Sequence, residues 1–328
     1  MKKLATIQGV GSLVSLVRGI SSLQASAPSL LPPSPRHLST ESSAKLKDGD
    51  TTHRPLTINL LPLWRGQKKQ GVRYGSSILL SKIQELSRGQ LTSNFITDRS
   101  LNNNDVISQE NFLETMSEVG KEVEVGDDMV VNLGGDHAIP MMTIPNMLHK
   151  YPNLRVIWID AHADINSVET SPSGNFHGMP VYFLSNASGS KEGKFDLANM
   201  AYVGVRETDS GEDALLEEFS VRNYTKTEID QKGIYSVVED LIERLSLEDN
   251  PVHISFDIDA LDPTLTPSTG TRVPHGLSVL DVVTIFREVR KTGNLVSCDI
   301  VEFNPLIGTE IEVETTLNSI IPVLETLI

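Results

Sequence analysis

The chain has 328 residues, 39% of them hydrophobic and 22% charged, with a formal net charge of -15 at pH 7. That length can bury a substantial core in one large α/β domain or two ordinary ones, and the acidic balance argues against a nucleic acid or an anionic membrane as the main partner. A single cysteine, Cys298, excludes a disulfide framework and a thiolate metal site within one chain, and its apolar surroundings predict core packing.

Residues 1–40 contain Lys2, Lys3, Arg18 and Arg36, eight serines and no Asp or Glu. They contribute +4, so residues 41–328 carry -19. An acid-free, basic, Ser-rich start with Ile7, Val10, Val14 and Val17 at helical spacing has the make-up of an organellar transit peptide. The rival is a secretory signal, with Lys2-Lys3 ahead of an apolar run and Ala25-Ser26-Ala27 as the cleavage site. Arg18 interrupts that run, and Pro28 would follow the cut. Arg36-His37-Leu38-Ser39 resembles a mitochondrial processing site cleaved after Leu38. The expectation is a mitochondrial transit peptide over 1–38, a flexible linker over 39–54, a folded body over 55–328 and a place in the mitochondrial matrix.

From Pro55 onward short apolar runs alternate with helical patterns, which predicts a single α/β domain with a central, mainly parallel eight-stranded sheet flanked by helices on both faces. The strands are expected at 56–61, 94–97, 129–133, 155–159, 201–205, 222–224, 252–256 and 295–300. Helices are expected at 76–87, 109–124, 212–219, 227–246, 278–291 and 310–327. In the helix over 278–291, Leu280, Val283, Phe286 and Val289 form the apolar face and Asp281, Arg287 and Glu288 lie off it.

Open α/β sheets bind ligands beyond the carboxyl ends of their strands. Five strand ends carry ionisable groups there: Gly134-Gly135-Asp136-His137, Asp160-Ala161-His162-Ala163-Asp164, Arg206-Glu207-Thr208-Asp209, Asp257-Ile258-Asp259-Ala260-Leu261-Asp262-Pro263 and Glu302-Phe303-Asn304-Pro305. Taken singly, each could be a solvated loop. Together they supply His137, Asp160, His162, Asp164, Asp257 and Asp259, four carboxylates and two imidazoles, too many for one ion. Four clustered carboxylates repel one another unless cations cancel them. Two divalent ions would do so, and an oxygen-rich set with two histidines suits manganese better than zinc.

The segments Gly134 to His137, Asp160 to Asp164 and Ser255 to Pro263 resemble, in order and spacing, the three signatures of the ureohydrolases, binuclear manganese enzymes that cleave guanidino groups. Asp164-Ile165-Asn166, Ser173-Gly174-Asn175-Phe176-His177-Gly178, and Gly204-Val205-Arg206 followed by Asp209 and Glu212 resemble the arginase branch. The resemblance implies an arginase/deacetylase-like fold and a ureohydrolase catalytic domain over 55–328. It implies two Mn(2+) per subunit, one held by His137, Asp160, Asp164 and Asp257, the other by Asp160, His162, Asp257 and Asp259. A hydroxide bridging them would hydrolyse L-arginine to L-ornithine and urea, with Asp164 accepting its hydrogen bond. Glu302 would pair with the guanidinium, Thr271 would add a hydroxyl beside it, and His177 would shuttle the proton to the leaving amine. Asn166 and Ser173 would read the α-carboxylate and Asp209 the α-ammonium, with Asn175 and Glu212 completing the substrate contacts. The expected assembly is a homotrimer or hexamer.

Some positions depart from that pattern: Ala138 stands where many arginases have serine, and Gly71 to Ser76 lacks their usual acidic pair and proline. His149, His253 and His275 belong to no ligand cluster, and Asp136 and Asp262 read as turn or supporting residues. The alternatives are another ureohydrolase, an agmatinase or guanidinobutyrase, and a non-catalytic metal-binding protein of the same fold.

Overall fold

A computed structural model describes residues 56–87, 91–95, 108–185 and 195–328. The predicted transit peptide and linker lie outside them. Eight strands, β1 (Leu56–Leu61), β2 (Thr92–Phe95), β3 (Met129–Gly134), β4 (Arg155–Ile159), β5 (Met200–Val203), β6 (Arg222–Tyr224), β7 (Val252–Asp257) and β8 (Leu295–Val301), form one sheet in the order β2-β1-β3-β8-β7-β4-β5-β6. Every neighbouring pair is parallel, so the sheet is wholly rather than mainly parallel. All six residues of β1, β3 and β7 are buried, which requires cover on both faces.

The helices are α1 (Gly75–Leu86), α2 (Gln109–Gly120), α3 (Pro140–Lys150), the short α4 (Pro180–Leu184), α5 (Ser210–Phe219), α6 (Lys226–Lys232), α7 (Ile234–Leu245), α8 (Val279–Lys291) and α9 (Glu310–Glu325). The sequence pattern did not delimit α3, where Pro145 inside the helix obscures the signal. The helix expected over 227–246 is two, parted at Gly233, whose φ of 81° cannot continue a right-handed helix. In α8 the expected face is corrected at two residues. Ser278 caps the helix and Asp281 returns the bond to the Ser278 N–H at 2.8 Å, so Asp281 is 7% exposed while Leu280 is 65% exposed. The cap fixes the phase of the helix, and Val282, Val283, Phe286 and Val289 form the buried stripe. The expected strand at 94–97 starts earlier, at Thr92, and its residues Ile96 and Thr97 lie outside the described ones.

Trp158 and Tyr202 are in register on β4 and β5 and pack with Val181, Leu184 and Phe195. A second cluster joins Leu61 and Leu63 to Phe112, Met116 and Val301. Burying a side chain of this size stabilises by about 1.5–3 kcal/mol, and here the burial anchors strands whose carboxyl ends are left polar. The consequence for chemistry lies in the strand order. β3, β8, β7 and β4 are contiguous at the middle of the sheet, and they end in His137, Glu302, the Asp257 and Asp259 pair, and the Asp160 to Asp164 run respectively.

Candidate metal centre and substrate pocket

Each ligand candidate follows the last residues of a central strand, where ladder pairing ends and side chains can converge. His137 Nδ1 lies 2.8 Å from Asp160 Oδ2, 3.0 Å from Asp164 Oδ2 and 3.3 Å from Asp257 Oδ2. That nitrogen is buried and makes no well-formed hydrogen bond. Its partner Nε2 sits 2.9 Å from Ser255 Oγ. When Nε2 donates its hydrogen there, the Nδ1 lone pair is left facing three carboxylates, as a metal-bound imidazole requires. The ring is also stacked on Trp158, with centroids 4.3 Å apart, and the Trp158 indole donates to Asp160 Oδ2 at 3.0 Å.

His162 Nδ1 faces Asp160 Oδ1 at 3.4 Å and Asp259 Oδ2 at 3.3 Å, while its Nε2 is 3.2 Å from Glu207 Oε2. Two donor groups with atoms close enough to share an ion thus emerge, one of His137, Asp160 and Asp257, the other of Asp160, His162 and Asp259. Asp160 belongs to both, and Asp164 reaches the first through His137 Nδ1. All six predicted ligands are therefore brought together.

The electrostatics fit cations. Burial and then the neighbouring carboxylates push Asp164 and Asp259 up to about 6 and raise Asp257 well above its ordinary range. Burial opposes charge on His137 and His162, yet the surrounding carboxylates override it and raise both. Asp160, wedged between the two imidazoles, is held low against its burial. Protons thus stand in for missing positive charge. Arg206 makes no direct ion pair with the cage, its guanidinium donating instead to the backbone carbonyls of Asp259, Val273 and Pro274. Four buried carboxylates and two imidazoles with free donor atoms fit two divalent ions, and the pair of donor groups offers a place for each.

Glu302 ends β8 beside this cage with a positive φ of 68°, uncommon for a side-chain-bearing residue. Its Oε1 accepts from the His137 backbone N–H at 3.0 Å and lies 3.1 Å from His177 Nδ1. Gln67 Nε2 contacts both carboxylate oxygens, at 2.7 and 2.6 Å. Burial works against the Glu302 charge, but His177 and Gln67 hold its carboxyl below the usual range. Burial likewise opposes charge on His177, and Glu302, Asp164 and Asp136 raise it to about 9.

The residues expected to read the head group are polar and partly self-satisfied. Asn166 Nδ2 donates to Asp209 Oδ2 at 2.8 Å, and Asn166 Oδ1 accepts from Thr170 Oγ1 at 2.8 Å. Asp209 also caps α5 through Oδ1, which accepts from the N–H groups of Gly211 and Glu212. Glu212 is buried behind it, takes the Ile165 N–H at 3.3 Å, and is pushed up to about 7, chiefly by burial and then by Asp164. Ser173 is exposed and accepts from the N–H of half-buried Asn175. Thr271 is half-buried in the loop before α8, whereas Glu302 takes its bonds from Gln67, His177 and His137. Asp136 and Asp262 act within turns, Asp136 accepting from Gly66 and Ala138 and Asp262 from Thr264 and Gly276. His253 is buried against Asp299 and Ser297, away from the cage.

Gln67, Ser255, Trp158, Glu207 and Thr170 were not singled out from sequence. One signal points to Gln67: it lies just beyond β1, which also ends at this edge of the sheet.

Fold and site together define an α/β protein with a carboxylate and imidazole cage, suited to metal, at the C-terminal edge of a parallel sheet. Residues 57–324 match the model of the Arginase family. The arginase of Schizosaccharomyces pombe is 39% identical over 198 residues, covering 58% of this chain and 61% of that protein's length. "Arginase-2, mitochondrial" of Rattus norvegicus is 36% identical over 275 residues, 76% of this chain and 78% of the rat protein. The crystal structure of Entamoeba histolytica arginase in complex with L-ornithine superposes with a TM-score of 0.72 at 30% identity, over 82% of this chain and 98% of that one. The chain belongs to the arginase family.

Proposed function

We propose that this chain hydrolyses L-arginine to L-ornithine and urea, using two manganese ions held by His137, Asp160, His162, Asp164, Asp257 and Asp259. The observation that carries the reading is the joining of the cage to a guanidinium-sized acceptor: His137 contributes Nδ1 to the cage and its backbone N–H to Glu302. Divalent ions held there would supply, when bound, an acidified water as the nucleophile.

The chain's own groups account for the rest. Glu302, buried and kept ionised, receives the planar guanidinium in a charge-assisted contact and sets its carbon against the cage. Asp164 accepts a hydrogen bond from the attacking group through its second oxygen. As the carbon–nitrogen bond breaks, the leaving amine needs a proton. His177 donates through Nδ1 to Glu302, which leaves Nε2 to carry that proton. At the far end Asn166 and Ser173 donate to the α-carboxylate, while Asp209 and Glu212 receive the α-ammonium. The direct contact of Asn166 with Asp209 supports this, because a zwitterionic head group needs a donor and an acceptor side by side.

Agmatine lacks the α-carboxylate and would leave those donors unpaired. With manganese, urea release from arginine is expected to exceed that from agmatine by at least ~100-fold. Equal or greater release from agmatine would replace this reading by another ureohydrolase, and release from neither would favour a metal-binding protein without turnover. A mitochondrial matrix location rests on residues 1–38 and on the named mitochondrial relative. A trimer or hexamer rests on the family.

A further inference from the structure

The Gly66-Gln67 dipeptide touches three parts of the site. The Gly66 N–H donates to Asp136 Oδ2 at 2.7 Å, at the end of β3. The Gly66 carbonyl accepts from the His177 backbone N–H at 3.1 Å. Gln67 Nε2 lies at nearly equal distances from the two Glu302 oxygens, at the end of β8. A Cβ on Gly66 would stand 2.9 Å from the Asp136 carboxylate, so this approach requires glycine.

We propose that Gln67 is the positioning residue of Glu302: it fixes the position and rotamer of that carboxylate and so sets how a guanidinium is received. The inference rests on the arginase reading of the site. Its physical basis is a matter of charge and of lone pairs. An amide –NH2 is a neutral donor, so Gln67 orients the carboxylate and leaves its negative charge for a cationic ligand. A lysine or arginine there would hold the carboxylate as firmly and neutralise it. Gln67 Nε2, at nearly equal distances from the two oxygens, pins the open end of the carboxylate in place, while the His137 N–H and His177 at Oε1 keep it from turning about its otherwise broad last torsion. The occupancy of the oxygens is unequal. Oε1 is shared by Gln67, the His137 N–H and His177, whereas among the described residues Oε2 meets Gln67 only. Oε2 therefore keeps acceptor capacity for a guanidinium N–H. Gln67 is 6% exposed, too buried for its amide to exchange this contact for water. Gly270 closes over the other side of the amide, where a Cβ would reach Gln67 Oε1 at 3.4 Å.

Gln67→Met keeps the length of the side chain and removes the donor. In manganese-loaded protein it is expected to raise KM for arginine about tenfold, the value of one hydrogen bond to a charged group. The inhibition constant of ornithine, which has no guanidinium, is expected to stay within twofold. A general loosening of the pocket would weaken both, and that result would overturn the proposal. Crystal structures of the wild-type and Q67M proteins provide a readout that needs no turnover, with the Glu302 carboxylate displaced from its wild-type position. A Glu302 superimposable in the two would overturn the proposal even if KM rose. If the wild-type chain released no urea from arginine the functional reading would fall, while the Glu302 comparison would still decide the role of Gln67. Gln67→Glu, tested alongside, places a second carboxylate against Glu302 and is expected to weaken arginine more than Q67M does.

Discussion

Asp164 combines two demands at one residue. Its backbone is left-handed, with φ at 49°, and its carboxylate is one of three around His137 Nδ1. Asparagine tolerates that backbone, while alanine there costs on the order of 1–2 kcal/mol. Compared as chelated proteins, Asp164→Asn is therefore expected to melt close to wild type, and Asp164→Ala several degrees lower. Both should lose manganese, measured by metal analysis of the purified proteins, and turnover with it. Full manganese occupancy in both variants would remove Asp164 from the ligand set. The six donors were legible in the sequence because their spacing follows from strands ending at one edge. What was not legible is the company they keep. Ser255 lies within the third of the matched segments, yet only the fold shows its Oγ 2.9 Å from His137 Nε2. Gln67 precedes Glu302 by 235 positions and meets it only through the juxtaposition of β1 and β8 across β3.

At the scale of an element, the start of α5 ties a helix cap to the proposed head-group contacts. Asp209 is its N-cap, and Asp209 with Glu212 forms a capping box. Capping and ligand binding use different properties of the same side chain, so substitutions can separate them. Asparagine caps about as well as aspartate. Asp209→Asn is thus expected to keep the melting temperature and raise KM for arginine by loss of a charge. Asp209→Ala should do both harms, costing about 1 kcal/mol of stability in denaturant titration. Equal destabilisation by the two variants would refute the division. Element boundaries were read from the sequence to within a few residues where a cap was strong, as at Thr309 before α9. They failed where one residue broke a longer pattern, as Gly233 does between α6 and α7, because periodicity alone carries no sign of a positive φ.

Across the whole molecule, the buried cage links metal content to stability and pH. Asp164 and Asp259, at about 6 in the folded protein against 3.8 as ordinary side chains, take up protons on folding. A carboxylate with a raised folded value destabilises the native state progressively as pH climbs from its unfolded to its folded value. Glu212, moving from 4.5 to about 7, extends that window upward. His177, raised to about 9, adds stability that is full below 6.5 and is lost as pH rises through its folded value, so it acts in the same direction. The chelated protein is therefore expected to lose melting temperature between pH 5 and 7, and manganese at pH 7 to restore it. A melting temperature of the chelated protein that rises over this interval would contradict the protonation assigned to the cage.

The strand order gives this coupling a kinetic side. The ions would be clamped by β3, β7 and β4, in the interior of the sheet, while β2 and β6 form its outer edges. Amide hydrogens at the edges can exchange by local fraying without disturbing the cage, but those of the central strands can exchange only when the clamp opens. Isotope exchange in β7 and release of manganese to a chelator should then share one rate, making the slowest amides of the protein a clock for the lifetime of its metal centre.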